Sequence, residues 1–101
     1  MQKIPELMRA VDALRHRFGA ALVVVDHWEC DLSAVGVARK GAEQRLAYVL
    51  AKTGSEQPTY HVALENPPKP GYDLPYADAG KHDDLSLADA ASIIAGHLGL
   101  P

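Results

Sequence analysis

The sequence lacks features that mark many secreted and membrane-inserted proteins. Cys30 is the single cysteine, so no disulfide can form within the chain, which fits a reducing compartment. No apolar run approaches the roughly 18 residues of a membrane span. The N-terminus carries scattered charge, whereas a signal peptide places a basic tip before an apolar stretch. These absences predict a cytoplasmic protein with no membrane partner.

Motifs of several catalytic classes are also missing. There is no Gly-x-Ser-x-Gly elbow and no Walker phosphate loop. His27-Trp28-Glu29 has the His-x-Glu half of the zinc-deaminase signature, but the companion Pro-Cys-x-x-Cys is absent. Cys30 shares a predicted strand face with Trp28, where a buried thiol is usually inert. We therefore expect a protein that is not an enzyme and that carries no cofactor.

The charge is uneven along the chain. The net charge is -3, with +2 over residues 1–54 and -5 over residues 55–101, where seven acidic residues outnumber Lys69 and Lys81. There is no basic stripe, which disfavours direct binding of nucleic acid. The acidic C-terminal half suits a basic partner, but it also serves solubility, and charge alone leaves both readings open.

The hydrophobic periodicity predicts an α+β fold in a single domain over residues 1–101. The expected elements are a helix over about 5–18, strands over about 21–31, 34–39, 45–51 and 59–65, a long loop over 66–84 and a helix over about 86–98. Short turns between successive strands favour antiparallel pairing. We expect a two-layer sandwich, a four-stranded, mostly antiparallel sheet with the N-terminal and C-terminal helices on one face.

The first predicted strand contains the closest grouping of polar and charged residues in the chain. Alternation places Asp26 and Trp28 on a largely apolar face, and we assign Trp28 to the core. A buried Asp26 needs a partner or a proton; we favour a structural role, and an acidic pocket is the alternative. The other sheet face is expected to be partly open. Its candidate binding residues are His27, Glu29, Asp31, His61 and Glu65.

Part of this set has the side chains of a metal site. Two histidines and a carboxylate can bind iron or zinc. The alternative function is therefore a small metal-dependent enzyme or ligand-binding domain that uses His27, Glu29 and His61. A meander would place the first and fourth strands at opposite edges and separate the two histidines, so we do not expect a metal.

The segment 66–84 holds four prolines and two glycines and shows no periodicity. Loops this long within a small domain are uncommon and often functional. Pro67 to Pro70 should be stiff, so the following aromatic and acidic residues would lose little entropy on binding. The alternative is a strap that packs across the sheet. Its candidate binding residues are Tyr72, Asp73, Tyr76, Asp78, Asp83 and Asp84.

Four stretches resemble small bacterial immunity proteins of contact-dependent growth inhibition and other polymorphic toxin systems. They are Val25-Asp26-His27-Trp28-Glu29-Cys30-Asp31-Leu32, Ala34-Val35-Gly36-Val37-Ala38, Arg45-Leu46-Ala47-Tyr48-Val49 and Tyr60-His61-Val62-Ala63-Leu64-Glu65. The resemblance implies an antitoxin that binds the C-terminal domain of one cognate toxin, often a nuclease, and blocks it stoichiometrically. It does not imply contact residues, because immunity proteins diverge fast at the binding surface.

Overall fold

The structure is a computed structural model that describes residues 3–25, 30–54, 56–71, 73 and 76–101. Its elements are α1 (Pro5–Phe18), a short 3-10 helix (Gly19–Ala21), β1 (Leu22–Val25), β2 (Ala34–Arg39), β3 (Ala42–Lys52), β4 (Thr59–Asn66), β5 (Ala77–Leu85) and α2 (Leu87–Leu98). Among the described residues, no helix combines the length and apolar character that crossing a membrane requires.

The strands form one open antiparallel sheet in the order β1-β2-β3-β4-β5. The register aligns Val35 with Val49 and Val49 with Val62, so these three valines share one face. The predicted α+β class and the antiparallel pairing of successive strands are confirmed. The predicted number of four strands is wrong, because the sheet has five.

The fifth strand lies in the segment predicted to be a loop. β5 has no β-branched residue and no apolar alternation, so it carries neither usual strand signal. It is an edge strand that forms by antiparallel pairing with β4, and its register shifts at two places. All of its residues are half-buried or exposed. Backbone hydrogen bonding to β4 is therefore enough to form this strand, although its side chains show no strand pattern.

The first predicted strand is also too long. β1 is described over Leu22–Val25, and the predicted strand residues Cys30 and Asp31 lie in a turn that runs to Ser33. Asp31 closes this turn, because its side chain accepts hydrogen bonds from Ser33, a local bond that competes with strand pairing. Cys30 is exposed, so its expected burial is wrong. The expectations for Asp26 and Trp28 lie outside the described residues.

Both helices pack on the same face of the sheet. Leu7, Leu14 and Ile94 are nearly inaccessible and belong to one apolar cluster with Val49 and Val62. Burying each side chain of this size contributes about 1.5–3 kcal/mol. The Tyr60 hydroxyl also donates to the carbonyl of Glu6 at 2.9 Å, which joins β4 to the first turn of α1.

The helix ends follow the sequence signals. Pro5 begins α1, and Ser86 caps α2 by accepting a hydrogen bond from the Asp89 backbone at 3.1 Å. Gly99 ends α2 with a φ of 70°, a left-handed conformation that glycine adopts without strain. These signals confirm the predicted positions of both helices within one residue.

Candidate binding surface

The side of the sheet opposite the helices is the candidate surface. In β4, Tyr60, Val62 and Leu64 are buried, whereas the intervening His61, Ala63 and Glu65 are half-buried. The register places Tyr48 of β3 opposite Ala63 and aligns Ala63 with Lys81 of β5. We call this side of the sheet the open face. Its members on β3, β4 and β5 include Tyr48, Leu50, His61, Ala63, Glu65, Asp78 and Lys81.

A pocket of about 320 Å³ lies on the open face. Its lining residues are Tyr48, His61, Ala63, Leu64, Glu65, Tyr76, Asp78 and Lys81. Ala63 lies between Tyr48 and Lys81 in the same cross-strand row, and its methyl group occupies little space there. The pocket therefore has a small residue at its base and larger polar residues around it.

Tyr48 is held in the neutral form at this pocket. Burial raises the pKa of its phenol, and the negative charge of Asp31 raises it further. A neutral phenol keeps its proton and can donate a hydrogen bond at physiological pH. Tyr48 therefore contributes an aromatic ring and a protonated phenol to the pocket.

Next to the pocket, the Asp83 carboxylate contacts both the Lys52 ammonium and the His61 imidazole. Its carboxylate lies 2.6 Å from the Lys52 ammonium and 3.5 Å from Nδ1 of His61. The hydrogen bond with Lys52 lowers the pKa of Asp83 and raises the pKa of Lys52. Both groups are therefore charged at neutral pH, and Asp83 adds a carboxylate to the rim of the open face.

The structure brings together part of the predicted site. His61, Glu65, Tyr76 and Asp78 line the one pocket, although two were predicted on a strand and two in a loop. Asp83 lies beside His61. The predicted candidates His27, Glu29 and Tyr72 lie outside the described residues.

Three other predicted residues do not line this pocket. Asp73 is exposed between Gly71 and Tyr76. Asp84 is exposed near the end of β5 and has a φ of 52°, a conformation that aspartate tolerates better than most residues.

Asp31 lies in the turn before β2, not on a strand, so its predicted place on a strand face is wrong. Its Oδ1 accepts from the Ser33 hydroxyl at 2.8 Å and from the Ser33 backbone at 3.0 Å, and these bonds lower its pKa. Its carbonyl accepts from the Lys3 ammonium at 2.7 Å. These bonds give Asp31 a structural role, since they hold the turn against the segment that precedes α1.

Four lining residues, Tyr48, Ala63, Leu64 and Lys81, were not predicted as part of the site, and Leu64 is a buried residue of the covered face. Tyr48 and Ala63 could have been found, because alternation along their strands places them with His61 on the face away from the core. Lys81 could not, because no sequence signal marks β5 as a strand.

A larger groove, of about 760 Å³, lies between the β2–β3 hairpin and the end of α2. Arg39 donates to the Gly99 carbonyl there at 3.1 Å, and Nε2 of His97 lies 3.0 Å from the Glu65 carbonyl. These contacts fasten the end of α2 to the sheet. None of the predicted binding residues lines this groove, so the open face remains the better candidate.

The described residues provide no set of metal ligands for the alternative function, a metal-dependent enzyme or ligand-binding domain. Among these residues, no three His, Cys, Asp or Glu side chains are grouped so that they could hold an ion. Two of the three proposed ligands, His27 and Glu29, lie outside the described part of the chain. The alternative stays a prediction, which metal analysis of untagged protein would test.

Comparison with known proteins identifies no relative. No protein-family model matches the chain, and no curated protein or solved structure matches it either. The functional argument therefore depends on the residues and geometry of the open face.

Proposed function

We propose that this protein is an antitoxin that neutralises a cognate toxin domain by stoichiometric binding through the open face. One observation carries the proposal: a pocket, aromatic side chains and carboxylates lie together on the sheet face that the helices leave uncovered. The resemblance to immunity proteins supplies the class of partner. The proposal requires no cofactor and no catalytic residue.

The open face has the composition of a protein interface. Tyr76 is 45% exposed, and Tyr48 and Leu50 are half-buried. Tyrosine is enriched among the residues that carry most of the energy at interfaces, because it buries a large apolar ring and keeps a hydroxyl for a hydrogen bond. A partner that covers these side chains would gain apolar burial at the centre of the contact.

The charge at the rim favours a basic partner. Asp78, Asp83 and Asp84 are exposed along β5, next to the pocket. A nuclease binds phosphates through basic residues, so its substrate cleft is a positive surface. Carboxylates of β5 would accelerate association with such a surface and exclude partners of the same sign. The protein would then occupy or overhang the cleft without binding nucleic acid itself.

Co-expression tests the proposal. The partner to be tested is the C-terminal domain of the protein encoded immediately upstream of this gene, and size exclusion with a growth assay provides the readout. We expect a stoichiometric complex and rescue of growth. Failure of both would overturn the antitoxin function and leave the fold standing.

A matched pair of substitutions locates the surface. Ala63→Glu places a carboxylate at the base of the pocket, whereas Ala13→Glu places the same group on the exposed side of α1, behind the sheet. We expect Ala63→Glu to abolish the complex and Ala13→Glu to leave it intact. Thermal melting of each variant separates lost binding from lost folding, and Tyr76→Ala repeats the test at an exposed side chain.

Charge reversal tests the exposed carboxylates of residues 73–84 separately. We expect Asp73→Lys, Asp83→Lys and Asp84→Lys together to weaken the complex most at low salt, where charges are least screened. Asp12→Lys, on the exposed side of α1, is the control. Unchanged affinity of the triple variant at low salt would remove these carboxylates from the interface.

A further inference from the structure

We propose that the pocket on the open face binds a guanidinium group, supplied by an arginine side chain of the partner. This inference rests on the proposed function, because it names the group of the partner that the pocket receives. The shape of the pocket, its aromatic residues and the placement of its carboxylates carry the argument.

The base of the pocket admits a flat group. Ala63 is the smallest residue of the row Tyr48-Ala63-Lys81, and this row crosses three neighbouring strands. Tyr48 and Tyr76 both line the space. A guanidinium is planar and stacks on aromatic rings, whereas an ammonium is a compact, strongly hydrated charge. The two tyrosines therefore favour arginine over lysine.

Two carboxylates face each other across the β4–β5 pair in this pocket. Glu65 is aligned with Asp78, and both residues line the cavity. Both side chains are carboxylates on the same side of the strand pair, so a cation that enters the pocket is attracted by two negative charges. The fork of N–H donors on a guanidinium can reach two carboxylates at once, which a single ammonium does less well.

The other charged residues leave the pocket negative. Lys81 adds one positive charge against the two carboxylates, so the lining carries a formal charge of -1 when His61 is neutral. One oxygen of Asp78 accepts a hydrogen bond from the Gly80 backbone N–H at 2.9 Å. This bond holds the Asp78 carboxylate against the backbone of β5. The pocket therefore has the charge for one guanidinium.

The test is a titration of the ¹⁵N-labelled full chain with blocked arginine, N-acetyl-arginine methylamide, followed by amide chemical shifts. Blocked lysine and blocked glutamine are the matched probes. We expect saturable shifts at Tyr48, Ala63 and Asp78 with arginine, binding of lysine weaker by about three- to fivefold, and no saturation with glutamine. Absence of shifts at tens of millimolar arginine, or equal shifts with all three probes, would overturn the inference.

Variants show whether the shifts arise in the pocket. Asp78→Asn keeps an acceptor for Gly80 but removes the charge, and Tyr76→Ala removes an exposed ring. Both should abolish saturation, whereas Asp84→Asn, on the same strand but outside the pocket, should not. Arginine binding that survives Asp78→Asn contradicts the proposed site.

The two proposals fail in different ways. If the toxin complex forms but blocked arginine does not bind, the pocket inference is wrong and the antitoxin function stands. If blocked arginine binds at the pocket but co-expression gives neither complex nor rescue, the antitoxin function is wrong and the pocket is a guanidinium site for another partner.

Discussion

The two faces of the sheet are built from alternate residues of the same strands, yet different requirements govern them. On the covered face of β4, Tyr60, Val62 and Leu64 are at most 8% exposed and pack against both helices. On the open face, His61 and Glu65 remain half-buried. Packing explains the first set fully. The second set does not fill the core, and the proposed function assigns it to binding.

The open face is not simply uncovered, because β2 pairs small residues with large ones there. Ala34 is aligned with Leu50, Gly36 with Tyr48 and Ala38 with Leu46, and all three small residues are buried. Gly36 lies opposite Tyr48 in the register, a pairing in which an aromatic side chain can cover a strand glycine. The face thus combines a closed apolar part over β2 with an accessible polar part over β4 and β5.

The largest expected difference between the faces is in stability. Leu14→Ala removes a leucine that is 2% exposed in the helix layer, and we expect a loss of about 3 kcal/mol in the free energy of unfolding. Leu50→Ala makes the same change on the open face and should cost about 1 kcal/mol, because the side chain is only half-buried. Urea denaturation measures both. Equal losses would mean that the open face is a second core.

A hydrogen bond on the covered face gives the next test. Tyr60→Phe keeps the ring and removes the hydroxyl that donates to the Glu6 carbonyl, so we expect a loss of about 1 kcal/mol. Tyr76→Phe, at an exposed tyrosine, is the control and should leave the unfolding free energy unchanged. If Tyr60→Phe leaves the unfolding free energy unchanged, packing alone joins β4 to α1.

The turn before β2 should give the stability a pH dependence. The Ser33 hydrogen bonds lower the folded-state pKa of Asp31 below its ordinary value of 3.8, so the carboxylate stabilises the fold above that value. The contribution is lost as the pH falls through the lowered pKa. We expect Asp31→Ala to cost at most about 1 kcal/mol at pH 7, since the group is well solvated, and the difference from wild type to shrink in acid.

Denaturation across the acid range measures this difference. Asp12→Ala, on the exposed side of α1, is the control. A loss at Asp31→Ala that grows as the pH falls would contradict the assigned sign.

The smallest effect is expected at the rim of the open face. Asp83→Asn breaks the ion pair with Lys52, but both side chains are well exposed, at 48% and 40%. Exposed pairs contribute little to stability, so the melting temperature should not change measurably. The same variant should weaken the complex with a basic partner. A clear fall in melting temperature would make this pair structural and weaken its assignment to binding.

The elements that sequence reasoning found are those whose own residues carry a pattern. α1 and α2 have apolar stripes with Pro5, Ser86 and Gly99 at their ends, and β4 alternates cleanly, so each was located within a residue or two. β5 was missed because an edge strand paired through its backbone needs no apolar alternation. With β5 unknown, the approach of Tyr76 and Asp78 to His61 and Glu65 could not be foreseen.

The central claim, that the open face binds the partner, is tested most directly by methyl cross-saturation in the complex with the toxin domain. With this protein methyl-labelled and the proposed partner irradiated, we expect intensity losses at Ala63 and Leu50 on the open face and none at Ala47 and Val62 on the covered face. Losses confined to exposed methyl groups of α1 or α2, such as Ala13, would place the partner behind the sheet and contradict the account.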